Sequence, residues 1–178
     1  GASVPMRRLF GILRRLEGSD APVLISGETG TGKELVARSI HDESERRDQP
    51  FVVLDCGSIA RELIDSELFG HERGSYSGAI SKRKGLVEYA DAGTLILDEV
   101  LNLPRHAQQL LLDFTQFGSY RPLGYQGKEP KKAKVRLISV LLPISLWHSA
   151  RCYSSFYFIS FQPVLSEPFR FCLVLSVA

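Results

Sequence analysis

Gly27-Glu28-Thr29-Gly30-Thr31-Gly32-Lys33-Glu34 joins a short apolar run, Val23-Leu24-Ile25, to a helix-forming run that extends from Glu34 to His41. A glycine-rich turn between a strand and a helix is built to hold phosphate. Glycine tolerates positive φ and lets backbone N–H groups approach an anion with no Cβ in the way. The helix that follows aims the positive end of its dipole, and its unpaired N–H groups, at the same point. Lys33 adds a mobile positive charge for the outer phosphates. The spacing of Gly27, Gly32 and Lys33 follows the phosphate-loop pattern in all but its last place, where Glu34 stands instead of Ser or Thr.

On either side of this turn the chain alternates strands with helices. Upstream, Ser3 and Pro5 suit a helix start, after which Met6, Leu9, Leu13 and Leu16 fall on one face and Arg7, Arg8, Arg14 and Arg15 on the other. Downstream, a strand is expected over Phe51–Leu54, a helix over Arg61–Phe69, a loop over Gly70–Gly78 and a short element over Gly85–Tyr89. The apolar run Thr94-Leu95-Ile96-Leu97 ends in Asp98-Glu99, and Pro104 opens a helix that repeats Leu110, Leu111 and Phe114 at helical spacing. Residues 118–134 read as a turn or hairpin, and Val135–Val140 as the next strand. This alternation predicts an α/β fold, a parallel sheet covered on both faces in a three-layer sandwich.

Composition narrows the class. The chain has 178 residues, one domain's worth, and a net charge of +2, which gives no electrostatic argument for nucleic acid. Cys56, Cys152 and Cys172 form no CxxC pair, which points to a reduced, cytoplasmic protein. Arginines interrupt residues 1–17, which therefore lack the uninterrupted apolar core of a signal peptide, and position 1 is not Met, so the chain reads as a fragment or a processed product. Lys82-Arg83-Lys84 and the lysines of 128–134 are short loop clusters of solvated type, and the four histidines lack metal spacing.

Asp98-Glu99 supplies the second half of a nucleotide site. Ligands of open α/β sheets lie beyond the carboxyl ends of the strands, so Asp98 is expected beside the phosphate loop. An Asp there holds Mg²⁺, and the adjacent Glu orients or deprotonates the water that attacks a γ-phosphate.

Four segments, in order, are Gly27–Glu34, Glu67-Leu-Phe-Gly-His-Glu72, Gly74-Ser-Tyr-Ser-Gly-Ala79 and Gly93-Thr-Leu-Ile-Leu-Asp-Glu99. Together they resemble the AAA+ P-loop ATPase domain of sigma-54-dependent transcriptional activators, the bacterial enhancer-binding proteins, a family in which Glu is common at the position of Glu34. The resemblance covers about residues 3–139. It implies that Gly27, Glu28, Thr29, Gly30, Thr31, Gly32, Lys33 and Glu34 bind ATP, and that Asp98 (with Mg²⁺) and Glu99 form the catalytic Walker B pair. It also implies that Gly74, Ser75, Tyr76, Ser77, Gly78 and Ala79 form the loop that engages the sigma-54 RNA polymerase holoenzyme. Most members write that loop Gly-Ala-Phe-Thr-Gly-Ala. Asp55 resembles the place where the family often carries an Asn that restrains the catalytic Glu; an ionised Asp accepts hydrogen bonds but cannot donate one. Read without the family, Asp55 simply ends a strand.

The resemblance stops near Ser139, giving an ATPase core over residues 1–139 and an unmatched aromatic-rich tail over 140–178. Val140-Leu141-Leu142 stands where the family has Ala-Thr-Asn with its γ-phosphate sensor, and no Asn follows. The arginine fingers and the helical lid have no counterpart, and after Val140 the only charged residues are Arg151, Glu167 and Arg170. The tail reads as out-of-frame or otherwise aberrant sequence, prone to aggregation and broken by Pro143 and Pro163 against crossing a membrane. The expected function is the ATPase core of a sigma-54-dependent regulator that works as a homo-oligomeric ring, with no sequence-specific DNA reader in this chain. An ATP-binding module without hydrolysis, or a non-functional fragment, stays open as an alternative.

Overall fold

Residues 4–16, 18–141 and 173–177 are described by the computed structural model. The elements are α1 (Val4–Leu16), β1 (Val23–Gly27), α2 (Lys33–Asp42), β2 (Phe51–Asp55), α3 (Ile64–Phe69), β3 (Gly70–His71), β4 (Arg83–Lys84), α4 (Leu86–Tyr89), β5 (Thr94–Asp98), α5 (Arg105–Phe117), β6 (Ser119–Tyr120), β7 (Lys131–Lys132), β8 (Arg136–Leu141) and β9 (Leu173–Val177), with a 3₁₀ turn over Val100–Asn102. Five strands make one parallel sheet in the order β2-β5-β8-β1-β9.

Alternate residues of a strand face opposite sides of the sheet, and here the two sides collect different cores. Leu24, Leu54, Leu95, Leu97 and Leu141 pack with Ile64, Leu68, Phe69, Leu111 and Phe114 of α3 and α5. Val23, Ile25, Ile96, Ile138 and Val140 pack instead with Leu16 of α1 and Val36, Ala37 and Ile40 of α2. Helices on both faces bury β1 along its whole length, as a central parallel strand requires.

Several details depart from the sequence reading. The expected cap Ser3 and residues 142–172 lie outside the described residues. Helix α3 begins at Ile64 rather than Arg61, because Ala60–Leu63 closes a hydrogen-bonded turn first. Gly70-His71, expected inside a loop, pairs antiparallel with Arg83-Lys84, which makes residues 70–84 a hairpin. A strand also lies within the tail: β9 runs parallel to β1, Val23 opposite Leu173 through Gly27 opposite Val177. Its sequence, LVLSV, is a short apolar run that periodicity alone cannot assign.

Arg46 ties the amino ends of the strands together. Its side chain is about 90% buried, and Nε donates to Asp20 Oδ1 at 2.9 Å. Nη1 donates to the carbonyls of Ala92 (2.7 Å), Gly93 (3.1 Å) and Lys134 (2.8 Å). Asp20 precedes β1, Ala92-Gly93 precede β5 and Lys134 precedes β8. Arg46→Ala is expected to lower stability by about 2–4 kcal/mol, since four acceptors, the buried Gly93 carbonyl among them, lose one shared charged donor. Arg46→Lys should restore little of it, because an ammonium lacks the planar fork; urea denaturation of the three proteins measures both.

Glu88 of α4 does similar work at the rim. Its carboxylate meets Lys131 at 2.9 Å and Lys84 at 3.0 Å, and Tyr120 donates its hydroxyl at 3.3 Å. The Lys131 hydrogen bond, against the cost of burial and with help from Lys84, holds the Glu88 carboxyl down to about 2 from an ordinary 4.5. A depressed folded-state pKa gives stability that is complete above the ordinary value and is lost as pH falls toward 2. Glu88→Gln should therefore remove part of the acid-side loss between pH 4.5 and 2 in a series of denaturation curves.

Candidate functional site

The phosphate loop leaves β1 and enters α2 through two left-handed glycines, Gly30 at φ 80° and Gly32 at φ 84°. Both angles strain a residue with a Cβ. Gly32 caps α2 with no side-chain hydrogen bond to the helix, so the first N–H groups of α2 meet no side-chain acceptor at the cap. Lys33 folds back into the turn, its Nζ donating to the carbonyls of Gly27 (2.9 Å) and Glu28 (2.7 Å). Thr31 Oγ1 donates to Glu28 O at 2.8 Å and tightens the same turn. The ammonium thus lies within a ring of loop backbone, in front of an uncapped helix end. That combination is an anion cradle. Glu34 falls in the first turn of α2, where a carboxylate is favoured by the helix dipole.

Strands β5 and β1 both end at the carboxyl edge of the sheet, with β8 between them. Asp98 closes β5, and its Oδ1 accepts the N–H of Glu99 at 2.8 Å. Glu99 has φ 49°, a left-handed conformation uncommon for a residue with a side chain. Its Oε2 accepts a hydrogen bond from Asn102 Nδ2 at 2.7 Å. Among the described residues no three His, Cys, Asp or Glu side chains group as a metal site. A Mg²⁺ held by one carboxylate and completed by phosphate and water needs no such group.

Asp55 ends β2 directly opposite Asp98. Its Oδ1 accepts the N–H of Gly57 at 2.9 Å, a turn of the Asx kind. Cys56, between them, is buried, and its thiol is pushed up to about 12, first by burial and then by the negative field of Asp55, Asp98 and Glu99. It is therefore a packed, unreactive thiol.

Gly74–Ala79 sits at the tip of the β3–β4 hairpin, away from the phosphate loop in sequence. Gly74, at φ 79°, donates its N–H to Ala79 O at 2.8 Å and closes the tip. Tyr76 sets its ring edge-on to His71, centroids 5.2 Å apart, and His71 is fixed in turn by Ser66 Oγ at 2.7 Å. Lys82 pairs with Glu72 at 2.7 Å across the hairpin. Just beyond the tip, Ile80 is 85% exposed. The phosphate loop and the acids of β5 therefore share one edge of the five-stranded sheet, while the hairpin belongs to a separate two-stranded sheet. Sequence reasoning passed over Asn102 and Gly57. The signal for Asn102 was its place three residues after Glu99, one turn along, where side chains meet.

The sigma-54 interaction domain model matches residues 1–142. NtrC of Azospirillum brasilense, a DNA-binding transcriptional regulator, is 48% identical over 139 residues, 78% of this chain and 28% of that protein. The response regulator PilR of Pseudomonas aeruginosa is 47% identical over 138 residues, 78% of this chain and 31% of its own length. The chain thus spans under a third of these relatives. Among solved structures, NtrX of Brucella abortus in complex with ATP superposes with a TM-score of 0.78 at 29% identity, over 100% of this chain and 36% of that one. The P-loop NTPase domain of a sigma-54 activator from E. coli, at 20% identity and a TM-score of 0.53, covers 83% of this chain and 81% of its own and shares the fold. No described helix is long and apolar enough to cross a membrane. With the order β2-β5-β8-β1-β9, the loop before α2 and the match over residues 1–142, the chain belongs to the sigma-54 interaction domain family, the AAA+ domain of sigma-54-dependent activators, of which it is a partial length.

Proposed function

We propose that this chain is the ATP-binding and ATPase core of a sigma-54-dependent transcriptional regulator, acting in the cytoplasm on the sigma-54 RNA polymerase holoenzyme. The observation that carries the reading is the loop itself: two left-handed glycines, an uncapped helix start and the Lys33 ammonium converge on one point. Gly27–Glu34 would hold the phosphates through backbone N–H groups, with Lys33 exchanging the Gly27 and Glu28 carbonyls for phosphate oxygens. Asp98 has a second carboxylate oxygen to offer Mg²⁺, which when bound neutralises charge on the outer phosphates. Glu99 would take the proton of the attacking water as its oxygen bonds to the γ-phosphorus and the bond to the β–γ bridging oxygen breaks, giving ADP and phosphate.

Gly74–Ala79 would present Tyr76 to sigma-54, with His71 steadying the ring. Full activity needs a ring of subunits, because an arginine from a neighbour completes each ATP site in such enzymes. The reading of DNA sequence is assigned to other parts of such regulators.

One observation favours a second reading, binding without turnover. Val140-Leu141 end β8 as buried apolar residues where the family has Ala-Thr, and the next position, that of the family's γ-phosphate-sensing Asn, is Leu142, outside the described residues.

Two measurements decide between these readings. Titration with a fluorescent ATP analogue should show binding that Lys33→Ala weakens at least tenfold, as loss of a charge-assisted contact implies (about 1.4 kcal/mol or more). ATPase rate against protein concentration should rise cooperatively if rings form. Glu99→Gln should abolish turnover and leave binding intact; binding with no turnover at any concentration selects the second reading, and no binding overturns both. For the hairpin, Tyr76→Ala should abolish capture of sigma-54 in the presence of a transition-state analogue while ATP affinity stays within about twofold. Capture unchanged in Tyr76→Ala would remove the ring from the contact.

A further inference from the structure

Glu99 is held on the wrong side of its strand for the chemistry proposed for it. In the sheet order, β2 lies on one side of β5, while β8 and then β1 lie on the other. The phosphate loop follows β1, two strand spacings or about 10 Å from β5. The Glu99 carboxylate points the opposite way, toward the turn after β2. There a Cβ built on Gly57 would collide with Glu99 Oε2 and lie 3.0 Å from Asn102 Nδ2. Gly57 is thus the floor beneath a Glu99–Asn102 hydrogen bond, and only a residue without a side chain leaves room for it.

Asn102 grips Glu99 twice. Its backbone N–H donates to Glu99 O at 2.9 Å, closing the 3₁₀ turn, and its Nδ2 donates to Glu99 Oε2 at 2.7 Å. Two other polar side chains lie beside Gly57 and neither substitutes: Ser58 Oγ already donates to Asp55 O, and Asp55 Oδ1 already accepts Gly57 N–H, while an ionised carboxylate has no proton to give a second carboxylate. The left-handed backbone of Glu99 is held between the Asp98 carboxylate on its N–H and Asn102 on its carbonyl. The backbone is pinned at both ends, so the carboxylate moves by side-chain rotation, and the bond that opposes rotation toward the phosphate loop is the one from Asn102 Nδ2.

We infer that Asn102 is a positioning residue that parks the Glu99 carboxylate on the β2 side of β5, over Gly57, and that turnover requires this hydrogen bond to open. The inference rests on the hydrolytic reading of Glu99. It predicts that the parked state limits the rate, so a variant that cannot donate speeds turnover rather than slowing it.

Asn102 is the only asparagine among the 178 residues, so ¹⁵N-asparagine labelling gives a single side-chain amide in the NMR spectrum. In the nucleotide-free protein that amide is expected to be shifted downfield and slow to exchange, and to revert to solvent-like behaviour in Glu99→Ala. Adding Mg²⁺ and a non-hydrolysable ATP analogue should shift the wild-type signal toward the Glu99→Ala position. Asn102→Asp, which keeps the shape but replaces the donor with a like charge, should raise kcat about tenfold, the change expected from losing one hydrogen bond to a charged group, with KM for ATP unchanged. Asn102→Ala should do the same, and Gly57→Ala, which crowds the parked carboxylate without touching Asn102's chemistry, should also raise kcat. An amide signal identical in wild type and Glu99→Ala overturns the inference, as does a kcat that falls in Asn102→Asp with its folding intact. If no protein turns over, the hydrolytic reading fails while the amide signal still decides whether Asn102 parks Glu99.

Discussion

One guanidinium, Arg46, sets the geometry on which the site depends. It donates to an acid ahead of β1 and to carbonyls ahead of β5 and β8, so it fixes the relative stagger of three parallel strands at their amino ends. Strands are close to inextensible, which transmits that stagger to the carboxyl ends, where the phosphate loop and Asp98-Glu99 emerge. The fourth strand is set by close approach instead: a Cβ on Gly93 would strike the carbonyl of Pro50, and the same carbonyl accepts the N–H of Thr94 at 2.8 Å. Buried His41 adds a bond from its ring to Thr94 Oγ1 at 2.9 Å, joining α2 to β5. Parallel sheets, with evenly slanted bonds and no hairpin turns to fix register, need such ties.

At the carboxyl edge the structure accepts local strain where chemistry is proposed. Gly30 and Gly32 take left-handed angles at no steric cost. Glu99 takes one with a side chain in place, which costs about 1–2 kcal/mol and persists because Asp98 and Asn102 hold both of its backbone groups. The amino edge carries large buried polar groups such as Arg46 and His41, each hydrogen-bonded to the strands around it; the carboxyl edge carries an open turn and an uncapped helix. Stability and reactivity are thus separated along the strands.

The parts legible in the sequence were those governed by local rules. Glycine spacing, the apolar runs before the loop and before Asp98, and the helix from Pro104 each follow from short-range chemistry, and together they gave the parallel α/β sheet. What escaped was set by contacts remote in sequence. Arg46 reads as one more surface charge in a basic-acidic stretch until the strand ends it serves, 26 to 88 residues away, are assembled around it. The β3–β4 pair is only two residues a side, too short for alternation to register. Strand β9 lies in a run of aromatic and apolar residues with no period, and it is the pairing with β1 that makes it a strand. Asn102 escaped for a different reason: its spacing from Glu99 was visible, but the resemblance directs attention to Asp55 on β2 as the partner of the Glu99 carboxylate.

Three of the places where this chain departs from the pattern it resembles share a physical character. Tyr76 keeps an aromatic ring against His71 and adds a hydroxyl. Asp55 keeps an acceptor for the Gly57 N–H and gives up a donor. Val140 and Leu141 keep buried apolar volume at the end of β8, and Leu142 follows where the family has its sensing Asn. In each case packing or local hydrogen bonding is satisfied, and what changes is the capacity to donate or sense across a gap. Burial and backbone bonding constrain every residue of a compact domain, whereas donor placement constrains only those that meet a ligand or partner. A chain can therefore retain the whole sandwich while its chemistry shifts, and the fold by itself fixes where a nucleotide can sit more firmly than how fast it is cleaved.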